Sequence, residues 1–266
     1  MTDAKLKSRL CFITCLVGIA LLLTYEFFGS ALVASLIDDG NVSFLVDMTV
    51  TRFIGGIVFL SMLINLGYRV LNPVRAPFLR SLAFCLPAFL VAVNNFPFIP
   101  VITGKAAVDS PVWMIALLLV ECLCIGFFEE LAFRGLFLWI AERKKADRRW
   151  IFCSILISSA AFGLIHLINL FESSPVSVLM QIGYSALIGA MCSVVLLRTA
   201  NIWLCVILHG TFNFCGAVIP TCGHGVLWDT PTVIMTAVIA VAVTFYMTVA
   251  FLKADLGILD GIYGEK

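Results

Sequence analysis

The chain has 266 residues, of which 62% are hydrophobic and 12% charged, with a formal net charge of +1. Soluble domains carry about 25% charged residues, so this chain cannot cover a water-facing surface and its natural solvent is a bilayer. The net charge by itself says nothing about partners, since the sign pattern along the chain carries that information; no nucleic acid is expected as a partner.

A helix needs about 20 apolar residues to cross the hydrocarbon core, and eight stretches qualify. They lie near 10–30, 50–70, 79–100, 112–141, 150–170, 175–197, 202–220 and 231–252. The first is too long for the apolar part of a secretory signal and is read as a retained helix. No linker or low-complexity tract interrupts the pattern. The expectation is an all-α polytopic membrane protein, one bundle of about eight helices in a single domain over 1–266. Of the ten cysteines, eight lie inside apolar runs, and only Cys215 and Cys222 are candidates to pair.

Basic residues mark cytoplasmic loops. With the N-terminus inside, one side receives Lys5, Lys7 and Arg9; Arg69, Arg75 and Arg80; Arg143, Lys144, Lys145, Arg148 and Arg149; Arg198; Lys253 and Lys266. The other side receives Arg52 and Lys105, with Asp38, Asp39, Asp47, Asp109, Glu172 and Asp229 at or near its boundary. This asymmetry predicts a multi-pass protein of the cell (plasma or inner) membrane with both termini cytoplasmic. The run ERKKADRR is then a topogenic loop.

The fourth stretch contains GFFEELAFRG at 126–135, with Glu129, Glu130 and Arg134 where ionised groups are costly. Glu130 and Arg134 are four apart and share a helix face, whereas Glu129 is turned about 100° away. One carboxylate is thus placed to be neutralised by the arginine while the other faces a different space. Phe162 and His166 repeat the four-residue interval on the fifth stretch, and His209 and Asn213 on the seventh. At about 1.5 Å of rise per residue, Glu129 lies about 16 Å from Ile140, His166 about 24 Å from Trp150, and His209 and Asn213 about 9 and 15 Å from Trp203. Those depths overlap. Gly126, Gly135, Gly163 and Gly210 flank these positions and permit close helix approach.

A carboxylate in a low-dielectric pocket is poised to take a proton from water. Nearby imidazole and amide donors can hold the oxyanion formed when water attacks an amide carbonyl. The set suffices for peptide hydrolysis without a serine, cysteine or metal. Two histidines and a glutamate also make a zinc set, although no HExxH is present. A structural ion-pair network, a proton-relaying transporter and a non-catalytic scaffold remain open on the residues alone.

Three motifs in order, EExxxR at 129–134, FxxxH at 162–166 and HxxxN at 209–213, resemble the CAAX prenyl protease and bacteriocin-processing (CPBP, Abi) family of intramembrane endopeptidases. The resemblance covers about residues 110–220. It implies a metal-independent, glutamate-type protease without cofactor. Glu129 would be the water-activating base, and His166, His209 and Asn213 would complete the water and oxyanion site. Glu130, Arg134 and Phe162 would support them. The implied substrate is a membrane-associated peptide or protein in the lipid bilayer, and a self-immunity protein is the non-catalytic alternative. Outside the motifs, Asn94 and Asn95 beside Pro97 and Pro100 predict a broken helix. Glu26 and Gln181 are read as inter-helix hydrogen bonders, Asn201 as a helix start and His224 as solvated.

Overall fold

The computed structural model describes residues 3–71, 78–171 and 173–263. Arg75, Glu172 and Lys266 lie outside the described residues. The chain opens with α1 (Asp3–Thr24), which runs through a π turn at Tyr25–Gly29 into α2 (Ser30–Leu36). Then follow α3 (Gly40–Asn65), α4 (Phe78–Asn94), the short α5 (Phe98–Ile102), β1 (Ala106–Val108) and α6 (Val112–Ala141). Next come α7 (Arg148–Ile165), a 3₁₀ segment (His166–Phe171), α8 (Pro175–Thr199), α9 (Ile202–Cys222), β2 (Gly223–Gly225), α10 (Thr230–Leu252) and α11 (Ile258–Tyr263).

Among the described residues seven helices are long and apolar enough to cross a membrane, and α4 is a shorter apolar one. The fold is an all-α polytopic membrane bundle. Large apolar side chains such as Phe27, Phe28, Val241 and Phe245 point outward, more than 70% exposed. Only a hydrocarbon solvent makes that arrangement favourable.

Helix starts follow local chemistry. Asp39, Asp147, Ser174, Asn201 and Asp229 each accept a hydrogen bond from a first-turn N–H of α3, α7, α8, α9 and α10. The cap at Asp39 corrects the second predicted span, which starts ten residues earlier than 50. Asp47 and Arg52 therefore lie inside α3, not in a loop; their charges had interrupted the apolar run and displaced the apparent boundary. Pro87 sits inside α4, and the chain breaks after Asn94, before Pro97. The third stretch is accordingly 17 residues of helix plus a separate turn. Cys215 and Cys222 share α9 and are free thiols, so the pairing considered for them does not form.

Between α8 and α9 the reversal takes two residues, Ala200 and the cap Asn201, with Ala200 in the left-handed region at φ 53°. That conformation costs an L-residue about 1–2 kcal/mol, and it lets Asn201 cap α9 at once. At the far end of the bundle β1 and β2 form a short antiparallel ribbon, with Ala107 opposite His224. The His224 ring contacts the Asp109 carboxylate, and Lys105 pairs with Asp229. His224 is thus exposed but partnered. Hydrogen bonds from Thr232 and Lys105 hold the Asp229 carboxyl down to about 2.

The main core joins α4, α6, α7, α8, α9, α10 and α11, with Leu131, Phe137, Leu138, Leu196, Leu197 and Leu208 at most 1% exposed. A second cluster of Leu45, Met114, Leu118, Cys122, Val218 and Cys222 packs α3, α6 and α9 nearer the ribbon. The polar layer on α6 falls between the two. At the opposite end Tyr68 donates to Glu142 (3.0 Å) and Tyr263 to the Leu138 carbonyl (2.9 Å). Burial, reinforced by the acid, pushes the Tyr68 hydroxyl well above its ordinary value.

Candidate active site

Close approach of α6 and α9 places the polar layer. A Cβ on Gly126 would stand 2.6 Å from the Val206 carbonyl oxygen, and one on Gly210 would stand 2.9 Å from the Leu123 side chain. The two backbones therefore cross with no room for a side chain between them. His209, next to Gly210, is carried straight onto the Glu129–Glu130 turn. Gly126→Ala forces backbone apart from backbone, and overpacking of this kind costs about 1–3 kcal/mol. The expected result is a lowered melting midpoint together with loss of whatever function the His209 contacts serve. An unchanged midpoint in a detergent melt would contradict the close crossing.

Glu130 and Arg134 are both fully buried and ion-paired, Nε to Oε2 at 2.8 Å. Arg134 also donates from Nη1 to the Gly189 carbonyl (2.5 Å) and to Ser193 Oγ (2.6 Å), both on α8. Ser193 donates in turn to the Gly189 carbonyl at 3.0 Å. The guanidinium thus ties α6 to α8. The other Glu130 oxygen, Oε1, faces His209 Nδ1 at 3.0 Å. A carboxylate held by an arginine can only accept, so Nδ1 carries the proton and the ring orientation is set. That leaves His209 Nε2 directed at Glu129 Oε2, 3.6 Å away. Glu129 is the more accessible acid, its side chain 16% exposed against 0% for Glu130.

Phe162 is buried and stands edge-on to two imidazoles, 5.4 Å from each of His166 and His209. Phe133 of α6 packs on its other side at 4.9 Å. His166 lies where α7 gives way to the 3₁₀ segment, not within a continuing span. Its Nδ1 faces the Phe162 carbonyl at 3.0 Å. A carbonyl accepts, so Nδ1 is the protonated nitrogen and Nε2 is left for another partner. Asn213 is one turn beyond His209 on α9, half-buried, and its side chain hydrogen-bonds no other described residue.

The structure therefore draws Glu129, Glu130, Arg134, His209, Phe162 and His166 into one connected set, with Asn213 on the next turn. Residues 111–215 match the family model of the Rce1-like type II CAAX prenyl endopeptidases. This segment is similar to the CAAX protease family. All three motifs lie inside it, and the resemblance drawn from them holds. No curated protein and no solved structure matches the chain. The match makes residues 111–215 similar to a CAAX-type membrane protease, a hydrolase.

Several contacts around the family segment carry no motif. Gly189 and Ser193 are four apart on α8, a spacing visible in the sequence, but a backbone carbonyl leaves no compositional trace. Asn95 donates to the Phe212 carbonyl at 2.8 Å, beside Asn213, and Gly216 makes room for it. Asn94 donates to Thr236 at 2.9 Å, so the two asparagines tie the broken end of α4 to α9 and α10. Gln181 accepts from Asn169 (2.8 Å), whereas Glu26 is exposed and hydrogen-bonds no described residue. Among the described residues one trio of ligating atoms lies within 4.8 Å, those of Glu130, Cys192 and Cys205. Its carboxylate is already engaged by Arg134 and His209, and the adjacent guanidinium opposes a second cation there.

Proposed function

We propose that the protein is an intramembrane endopeptidase in which Glu129 activates water against a peptide bond. The observation that carries this reading is the placement of Glu129. It is the one acid of the pair that Arg134 does not neutralise, and it faces an imidazole whose far nitrogen is fixed by Glu130. A water beside Glu129 Oε2 and His209 Nε2 can bond to both, since the gap of 3.6 Å is too long for a good direct hydrogen bond. Glu129 takes the proton as the water oxygen attacks the scissile carbon. The carbonyl oxygen, now an oxyanion, accepts from His209 and from the Asn213 amide. His166, through its free Nε2, positions the water or passes the proton to the leaving amine. Glu130 and Arg134 act through His209, by fixing its ring.

The chemistry as proposed needs no metal: with Nδ1 held by Glu130, His209 Nε2 serves the water and the oxyanion directly. The natural substrate is a membrane-associated peptide or protein that reaches the site from the lipid side or from the basic end, the proposed cytoplasmic face.

Purified protein in liposomes should cleave an added set of apolar peptides at the same rate after exhaustive treatment with EDTA and phenanthroline, with no proton flux across the membrane. Chelator-sensitive cleavage would replace the glutamate mechanism by a metal one. Peptide-independent proton flux without cleavage would favour a transporter, and neither activity would favour a scaffold.

A further inference from the structure

With a methionine thioether counted among the donors, a second trio of metal-ligating groups lies outside the site, where α1 meets α3. Cys15 donates from Sγ to Met62 Sδ at 3.5 Å, and Cys11 donates from Sγ to the Met62 carbonyl at 3.8 Å. Cys11 and Cys15 are four apart, so two thiols on one face of α1 converge on one residue of α3. Over residues 11–20 the positions turned away from the surroundings are Cys11, Thr14, Cys15 and Gly18. Their apolar neighbours Phe12, Ile13, Leu16 and Val17 point outward, each more than half exposed. A seam serving packing alone would turn such side chains inward; this one turns its sulfur inward instead.

The register of α1 on α3 is pinned on both sides of the sulfurs. Asn65 donates to Thr14 Oγ1 at 2.9 Å. A Cβ on Gly18 would stand 2.6 Å from the Val58 side chain, so the helices lie close together there. The three donors therefore sit on a closely packed pair of helices and not on loops, which is what holds a ligand set in place. A thiolate–metal bond is about 2.3 Å long, so two sulfurs sharing one ion stand about 4 Å apart. Cys15 and Met62 are already near that separation. The trio lies toward the basic end of the bundle, Cys11 being two residues inside the span that begins at Arg9. Both thiols are half-buried, within reach of an ion, whereas Cys192 and Cys205 beside Glu130 are sealed.

We propose that Cys11, Cys15 and Met62 form a three-sulfur site for a soft metal ion, Cu(I), which staples α1 to α3. Two thiols and a thioether suit Cu(I), whereas a structural zinc site takes four ligands, drawn from thiolate, imidazole and carboxylate. Binding exchanges two S–H bonds for two Cu–S bonds and releases two protons to water, with no change of oxidation state. One cuprous ion with two thiolates carries a single negative charge, and Lys7 and Arg9 at the same end of α1 place positive charge nearby. The staple acts where it matters for the bundle. The span containing α1 is the least buried of the seven, and the residue after Met62, Leu63, packs on Gly135 of α6. The site stands independently of the peptidase reading.

The test titrates the reduced, full-length protein in detergent without oxygen, with Cu(I) added as its acetonitrile complex in competition with the chelator bicinchoninate. The wild type should hold one equivalent against the chelator, with sulfur alone in the first coordination shell by X-ray absorption, and its melting midpoint should rise with the metal. Cys11→Ser and Cys15→Ser should each weaken binding by about 100-fold. Met62→Leu should weaken it by about tenfold, a neutral thioether being the lesser ligand. Leucine keeps the shape and apolarity of Met62, so loss of the copper-induced rise in that variant separates ligation from packing. Cys153→Ser, which removes an exposed thiol on α7, should change nothing. No chelator-resistant copper in the wild type overturns the site, as does wild-type affinity in the Cys11→Ser/Cys15→Ser double variant. Nitrogen or oxygen ligation, or Zn(II) held as tightly as Cu(I), does so too. Should the serine variants fail to fold, wild-type affinity and an undiminished midpoint rise in Met62→Leu decide against it.

Discussion

Glu129→Gln yields a folded, membrane-inserted protein whose peptide cleavage is down by about 10²–10⁴-fold, the usual worth of a positioned general base. The substitution keeps shape and hydrogen-bonding capacity while removing the ability to take a proton. It leaves Glu130, Arg134 and the Arg134 contacts to α8 untouched, so the melting midpoint should move little. The loss should fall on kcat, because a base acts only once water is attacking and contributes little to holding the peptide. His209→Gln is the informative companion. It removes the ring facing Glu129 and also leaves Glu130 short of a donor, so it should lower both kcat and stability. Cleavage by purified Glu129→Gln at the wild-type rate would remove Glu129 from the base role and with it the proposed mechanism.

The parts of the site legible in the sequence were those written in side chains at helical intervals. Glu130 with Arg134, Phe162 with His166 and His209 with Asn213 each repeat every four residues inside apolar runs, where a polar residue is conspicuous. The separation of Glu129 from Glu130 followed from the 100° turn between them. What could not be read was written in backbone. The Gly189 carbonyl that holds Arg134, and the Phe212 carbonyl that holds Asn95, belong to residues whose names carry no polar signal. The role of Phe162 was also hidden, since an aromatic at packing distance from one histidine gives no hint that it touches a second. The error at Arg52 has another origin. Hydropathy treats a charge as a boundary, so an arginine inside a span reads as the edge of the span, and Asp47 misleads in the same way. The N-cap at Asp39 was the better marker of where α3 begins.

Arg134→Met should be the most destabilising substitution in the protein, more so than any change at Glu129. Breaking a buried pair by removing one partner costs about 3–5 kcal/mol, because the remaining charge has nothing to offset it. Here the orphan is Glu130, fully buried in a membrane span. The Gly189 carbonyl and Ser193 lose their donor at the same time. Relief comes from neutralising the acid: Glu130→Gln/Arg134→Met should recover part of the lost stability, although the Gly189 carbonyl of α8 still lacks its donor. Activity should not return with it. A glutamine at 130 no longer demands that His209 present its Nδ1 proton, so the ring facing Glu129 is free to turn. The double variant therefore separates the two jobs of the pair, melting closer to wild type while cleaving as poorly as Arg134→Met. If the double variant regained cleavage along with stability, Glu130 would be holding the helices together and nothing more, and the orientation of His209 would have to come from elsewhere.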